Sequence, residues 1–222
     1  MSPTKTARRN ATYYAGDLRR DLLDAALAVV TSEGPSAVNL RALARQLGVS
    51  HAAPANHFAD KTAIFTAIAQ EGFELLGQAM DRAVGEVPAD RPGRALLAAA
   101  GTGYLQFALA HPAHFEVMWR HDLLRRGDPG LQTASYATFD QLLTGVRAAQ
   151  ADGLAAGVDE RSVAYLAWAS VHGLAVLWLN GPLSGLDERP FDEIARSVST
   201  LLNSSLAAYA APTSSHQGDS DA

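Results

Sequence analysis

Apolar residues along this chain recur mostly at three- and four-residue intervals, the spacing of a helix face rather than the alternation of a strand. From Leu18 they fall at Leu22, Ala25, Ala26, Val29 and Val30, with Asp17 placed to cap the run and Gly34 and Pro35 to stop it. Leu40, Leu43, Ala44 and Leu47 then share one face of a short helix, capped by Asn39 and ended by Gly48, where a tight turn needs a residue that tolerates positive φ. Ser50 is placed to cap a third short helix over about 51–57, with Pro54 near its first turn, where a missing N–H costs least. Asp60 caps a longer helix carrying Ile64, Phe65, Ile68, Phe73 and Leu76, which fades near Gly85 and Pro88. Beyond Pro92 the pattern predicts helices over about 93–110, 113–124, 131–151, 159–179 and 191–210. Charge-rich openings, "DERSV" and "DERPFDE", precede the last two, and no segment repeats at a fixed period.

Composition strengthens the all-helical expectation: 43 of the 222 residues are alanine, the best helix former. There is no cysteine, which excludes disulfides, thiolate chemistry and cysteine-based zinc sites. The basic start has no apolar stretch behind it, so no signal peptide is expected there. The most apolar window, 165–179, is short for a bilayer and contains His172, so a cytoplasmic protein with no membrane partner is expected. A net charge of −5 argues against nucleic acid until its distribution is considered. Residues 1–61 hold eight Lys/Arg and five Asp/Glu, a local excess of three positive charges, while 62–222 hold ten and eighteen, an excess of eight negative ones. A basic module on an acidic body follows.

Three short helices with a glycine turn between the second and third form a helix-turn-helix. Its second partner must approach base edges closely, which favours small outward side chains with a few hydrogen-bonding groups among them. The stretch "SHAAPANH" has that chemistry. Ala52, Ala53 and Ala55 let the backbone approach, Asn56 can pair with adenine, and His51 or His57 can donate to base or phosphate. Arg41 and Lys61, each at a helix start, are placed to hold phosphates, and Arg8 and Arg9 to reach a minor groove as part of a disordered basic arm, 1–16. The competing reading makes 51–57 a polar connector with no partner.

Residues 18–70 resemble the DNA-binding domain of the TetR family of bacterial transcriptional regulators. The resemblance is carried by Glu33 and Gly34, Leu43 and Ala44, Gly48 to Ser50, Phe58, and Lys61 at the head of the long fourth helix. It implies that 51–57 is the recognition helix and that Asn39, Arg41, Ser50, His57 and Lys61 position the DNA backbone. One departure stands out: three residues before Phe58, where the family has a tyrosine that packs and contacts phosphate, this chain has Ala55.

The remainder, more loosely, resembles TetR effector and dimerisation domains with a Trp-His-Gly signature, here nearest Trp168, His172 and Gly173. That resemblance implies a pocket among the helices and a homodimer made mainly by the last two. Tyr104, Phe107, Phe115, Met118, Trp119, Trp168 and His172 combine aromatic bulk with a few polar tips, as ligand cavities do, although each serves equally as plain core. The last helix carries Ile194, Val198, Leu201, Leu202, Leu206 and Tyr209 as one stripe, and 159–179 is apolar nearly all round, so Val198, Leu201, Leu202 and Leu206 are expected at a dimer interface. His111, His114, His121 and Asp122 are close in sequence, but Pro112 breaks their helical register, and neither metal nor cofactor is expected.

The expected organisation is therefore all-α: a helix-turn-helix DNA-binding domain at 17–62, a larger helical effector-binding and dimerisation domain at 63–211, and a disordered tail at 212–222. The expected function is a homodimeric repressor that leaves a palindromic double-stranded operator when an unknown small, apolar effector binds. Two alternatives stay open. One is a DNA-binding regulator with no small-molecule effector. The other is a helical enzyme, against which stands the absence of a phosphate loop, nucleophile elbow or HExxH pair.

Overall fold

The computed structural model of the chain describes residues 18–183, 185, 186 and 188–209, which form eight α-helices and no strand. These are α1 (Leu18–Glu33), α2 (Leu40–Gln46), α3 (Lys61–Gly85), α4 (Gly93–Ala110), α5 (Pro112–Met118), α6 (Pro129–Ala151), α7 (Glu160–Leu179) and α8 (Phe191–Ala208). Single 3-10 turns occupy Pro35–Ala37 and Ala53–Asn56. The expected cap at Asp17, the arm with Arg8 and Arg9 and the tail from 212 lie outside the described residues.

Contacts group the chain into two compact units, Met1–Gly77 with Phe107–Thr138, and Gln78–Gln106 with Phe139–Ala222. The boundary expected after residue 62 would fall in the first turn of α3, which runs unbroken to Gly85. The first unit thus combines the helix-turn-helix with α5, whose Phe115, Val117 and Met118 are buried. Leu22, Leu23, Ala26 and Val30 of α1 pack with the buried Leu43 and Ala44 of α2, and α1 also lies against α5. On α3, Gly72 permits a close approach of α5: a Cβ on it would sit 2.6 Å from Met118 Sδ. Helix α5 stops at Met118 rather than near 124: beyond it the N–H groups of Arg120 and Leu123 donate to carbonyls three residues back, Val117 and Arg120, as in successive turns rather than an α-helix. Helix α6 starts two residues early, with Pro129 at its first position and Asp128 accepting from the Leu131 N–H at 3.0 Å.

In the second unit Leu97, Leu143, Val146, Leu154, Val163, Ala164 and Leu206 form one apolar cluster. Asp159 caps α7 by accepting from the Ser162 N–H, and Arg147 of α6 makes a two-pronged bond to Glu160. Helices α3 and α4 meet at Gly103, where a Cβ would lie 2.5 Å from the Ala79 carbonyl oxygen and 2.8 Å from Met80 Cα. Backbone cannot swing aside as a side chain can, so Gly103→Ala should destabilise the protein by about 1–3 kcal/mol, the usual cost of overpacking. Gly145→Ala, whose Cβ finds only ordinary contacts at 3.6 Å and beyond, should gain up to about 1 kcal/mol from helix propensity. Thermal unfolding of the two variants checks the contrast in sign.

Candidate nucleic-acid interface

The helix-turn-helix is built from caps and turns that follow directly from residue type. Asn39 caps α2, its side-chain oxygen accepting from the N–H groups of Arg41 at 2.9 Å and Ala42 at 3.2 Å. Gly34 and Gly48, with φ of 82° and 69°, occupy the left-handed region at the two turns that set α2 against its neighbours. After Gly48 the sequence-based expectation of an α-helix over 51–57 needs correction: the segment is a turn followed by the 3-10 turn Ala53–Asn56. Ser50 does not cap it by its side chain; its backbone carbonyl accepts from the Ala53 N–H instead. Pro54 supplies no N–H for an α-helical ladder, and its carbonyl accepts from both His57 and Phe58, closing the segment within one turn.

This turn is anchored from below and open above. Pro54 and Phe58 are buried, and the Arg19 guanidinium lies 5.3 Å from the Phe58 ring centre. Ser50, His51, Ala52, Ala55 and Asn56 are exposed and His57 is half-buried, so the small and hydrogen-bonding side chains face outward together. Arg41 is exposed at the start of α2. Lys61 is committed differently from expectation. Its Nζ donates to the Ser36 carbonyl at 2.9 Å and sits 5.4 Å from the Phe65 ring centre, so it first ties α3 to the 35–37 turn and has donors left over for a phosphate.

Asp60 caps α3, its Oδ1 accepting from the Ala63 N–H at 2.8 Å. Its Oδ2 accepts from Arg125 Nη2 at 2.6 Å, and the Ala63 N–H, followed by that guanidinium, holds the carboxyl below its ordinary range. Nothing local in the sequence marks Arg125, which lies 65 residues away. Deeper in the same unit, Glu71 of α3 accepts two bonds from Arg20 of α1, at 2.7 and 2.8 Å, and Arg20 also bonds Asp24. Buried His114 of α5 places Nε2 3.7 Å from Glu71 Oε1, and Nε2 has no hydrogen-bond partner among the described residues.

The residues expected to line an effector pocket divide between the units. Phe107, Phe115, Met118 and Trp119 belong to the first, where the first three are buried core and Trp119 packs edge-on against Phe73 and Phe115. Tyr104, Trp168 and His172 belong to the second and form a polar chain. Tyr104 accepts from the Trp168 indole, which can only donate, leaving its own hydrogen for His172 Nδ1 at 2.8 Å. Burial pushes the Tyr104 phenol up and His172 down, so both are neutral at physiological pH.

The expected dimer residues divide as well. Leu206 is only 7% exposed and belongs to its own unit's core, with Leu202 packed partly against that core. Leu201 lies five residues before Leu206, well over one turn and so on a different face, and points outward at 68% exposure, while Val198 is half-buried. Helix α7, which carries the exposed Tyr165 (52%), Leu166 and Leu177, is the larger apolar surface, and the sequence stripe did not single these out. It is long and apolar enough to cross a membrane by length and composition, yet Val163, Ala164, Ala167, Leu174 and Ala175 are buried among the helices of its unit.

An exposed turn on a three-helix base, joined to further helices, is the arrangement of helix-turn-helix regulators of transcription. A family model described as "Bacterial regulatory proteins, tetR family" matches residues 22–68, and one described as "Tetracyclin repressor-like, C-terminal domain" matches 97–203. The chain belongs to the TetR family of DNA-binding transcriptional regulators, not to an enzyme family. A structure of a protein of unknown function from a Rhodococcus species is 36% identical, with a TM-score of 0.76, covering 88% of this chain and 98% of that one. The TetR family transcriptional regulator PfmR from Thermus thermophilus shares the fold at 21% identity and a TM-score of 0.65, over 82% of this chain and 97% of its own. So does the transcriptional regulator FadR from Bacillus subtilis in complex with stearoyl-CoA, at 16% identity and 0.61, over 83% and 97%. A search of curated proteins gave no match.

Burial lowers His114 from its ordinary value of 6.5, an effect that the nearby Glu71 carboxylate partly offsets and that His111 and Arg20 reinforce. The unfolded chain therefore binds a proton that the folded chain refuses, so the stability present above pH 6.5 is lost as pH falls through the folded value. Unfolding in urea across that range should show stability falling with pH. His114→Gln should flatten the slope, and an unchanged slope would remove His114 as its source.

Proposed function

We propose that this regulator is a homodimeric repressor whose two 51–57 turns enter successive major grooves of a palindromic operator, about 34 Å apart, and that a small, mostly apolar ligand releases it. The observation that carries DNA reading is the outward set of Ala52, Ala55, Asn56 and His51 over buried Pro54 and Phe58. Asn56 reads a base, His51 and His57 supplement it, and Asn39, Arg41, Ser50 and Lys61 hold the backbone around it. With Ala55 in place of an aromatic, the phosphate grip near the turn rests on Arg41 and Lys61.

Dimerisation is supported by the apolar surface that α7 and α8 leave uncovered at Tyr165, Leu166, Leu177 and Leu201, an area that water disfavours. A second copy turning the same patch toward it would bury it symmetrically. Effector control is supported by the neutral Trp168–Tyr104–His172 chain, the kind of sparse polar group that orients a ligand among apolar walls. The ligand acts through its different affinity for the DNA-competent and incompetent states. FadR of Bacillus subtilis, which shares the fold, has been solved with stearoyl-CoA. A cytoplasmic location follows from work on genomic DNA.

Fluorescence anisotropy on labelled DNA from upstream of the gene, with salt titration and unrelated competitor duplex, tests the proposal. Binding that resists the competitor and falls linearly in log salt is expected; affinity equal to that for the competitor would count against a specific operator nearby. Asn56→Ala should cost about 1–3 kcal/mol on the preferred sequence and little elsewhere. Lys61→Ala should weaken all sequences alike and reduce the salt slope by about 1. Identical behaviour of the two would refute this division of roles. Leu201→Arg should shift the protein toward monomer in sedimentation velocity, and an unchanged dimer would move the interface elsewhere.

A further inference from the structure

We propose that Arg125 is a positioning residue of the DNA-reading end: it neutralises and orients the Asp60 carboxylate where α3 begins, so that this cap does not repel the DNA backbone. The proposal rests on the DNA-binding function given above. A helix that starts so soon after Phe58 needs an acceptor for its free N–H groups, and Asp60 supplies it at 2.8 Å from the Ala63 nitrogen. The same side chain puts a negative charge beside Lys61, on the face that meets phosphates. Charges on that face act on one another within a screening length of about 10 Å at 0.1 M salt.

Arg125 removes the conflict. Its Nη2 meets Asp60 Oδ2 at 2.6 Å, so one carboxylate oxygen serves the helix and the other a guanidinium. The position is enforced by a second bond: the Arg125 backbone N–H donates to Thr66 Oγ1 at 3.0 Å. Thr66 is buried, and its hydroxyl donates in turn to the Thr62 carbonyl at 2.8 Å, so both of its roles are filled. The 119–128 loop is thereby pinned on the first two turns of α3. Lys61 does not do this work, being engaged with the Ser36 carbonyl and the Phe65 ring. Arg125 and Asp60 are both about half-exposed, and an exposed pair of this kind contributes little to folding. Its consequence falls on binding.

The test is a double-mutant cycle on the full chain, using a fluorescein-labelled duplex of random sequence, since phosphate contacts are blind to sequence. Arg125→Ala should weaken binding by about threefold to tenfold at about 50 mM salt, with the gap closing toward about 200 mM as the repulsion is screened. Asp60→Asn keeps a good cap and removes the charge, and should bind more tightly than the unmodified protein. The double variant should return to the unmodified level or better, and thermal melting should show all four proteins folded. A double variant as weak as Arg125→Ala would mean that Arg125 contacts DNA itself or merely shapes its loop, and would overturn the proposal. So would an Arg125→Ala protein that binds normally. Failure of the unmodified protein to bind any duplex at low salt would instead overturn DNA binding, and this proposal with it.

Discussion

A 3-10 turn of four residues has no ladder of its own to fix its shape, so the geometry of Ala53–Asn56 is imposed by what flanks it. The decisive flank is the junction from Phe58 to Lys61. Phe58 is sunk in the core of its unit, a burial whose loss to alanine costs about 3–5 kcal/mol in comparable sites. Asp60 then starts α3 at a defined residue, and Lys61 ties that start to the Ser36 carbonyl. Between the glycine turn at Gly48 and this junction, the exposed side chains have little freedom to choose their direction. In the proposed function, so short an element lets its backbone approach a base edge with nothing bulky between.

The rest of the first unit braces that junction. Arg20 and Glu71 join α1 to α3, α5 packs against α1, and Arg125 and Thr66 fasten the following loop to the start of α3. Segment Phe107–Thr138 lies within the region matched by the C-terminal family model, yet it folds with the helix-turn-helix. Sequence modules and compact units are different divisions of this chain. A change in how α5 or the 119–128 loop sits would be felt at Asp60 through bonds already named.

Much of this was legible in the sequence, because it is local. Asn39 and Asp60 are caps, Gly34 and Gly48 take positive φ, and helices α4, α7 and α8 lie within about two residues of their expected limits. What was not legible depends on contacts between distant residues or on which side of an apolar stripe meets the core. Pro54 in a segment this short yields a 3-10 turn where periodicity suggests an α-helix. Leu201 and Leu206 belong to the same apolar stripe, and only packing decides that Leu206 faces the core and Leu201 the outside. Phe107, Phe115 and Met118 have the composition of a ligand wall and the burial of a core. Arg125 carries no signal at all until α3 is beside it.

Contact between the 51–57 turn and DNA is directly testable, because the chain has no cysteine of its own. Ala55→Cys places a single thiol on the exposed face of the turn, and Ala156→Cys places one on an exposed loop of the other unit. The rate of labelling by a maleimide dye would be measured for each, with and without saturating duplex. Strong protection at residue 55 and none at residue 156 is the predicted result. Equal labelling rates at residue 55 with DNA demonstrably bound would mean that another surface holds the DNA.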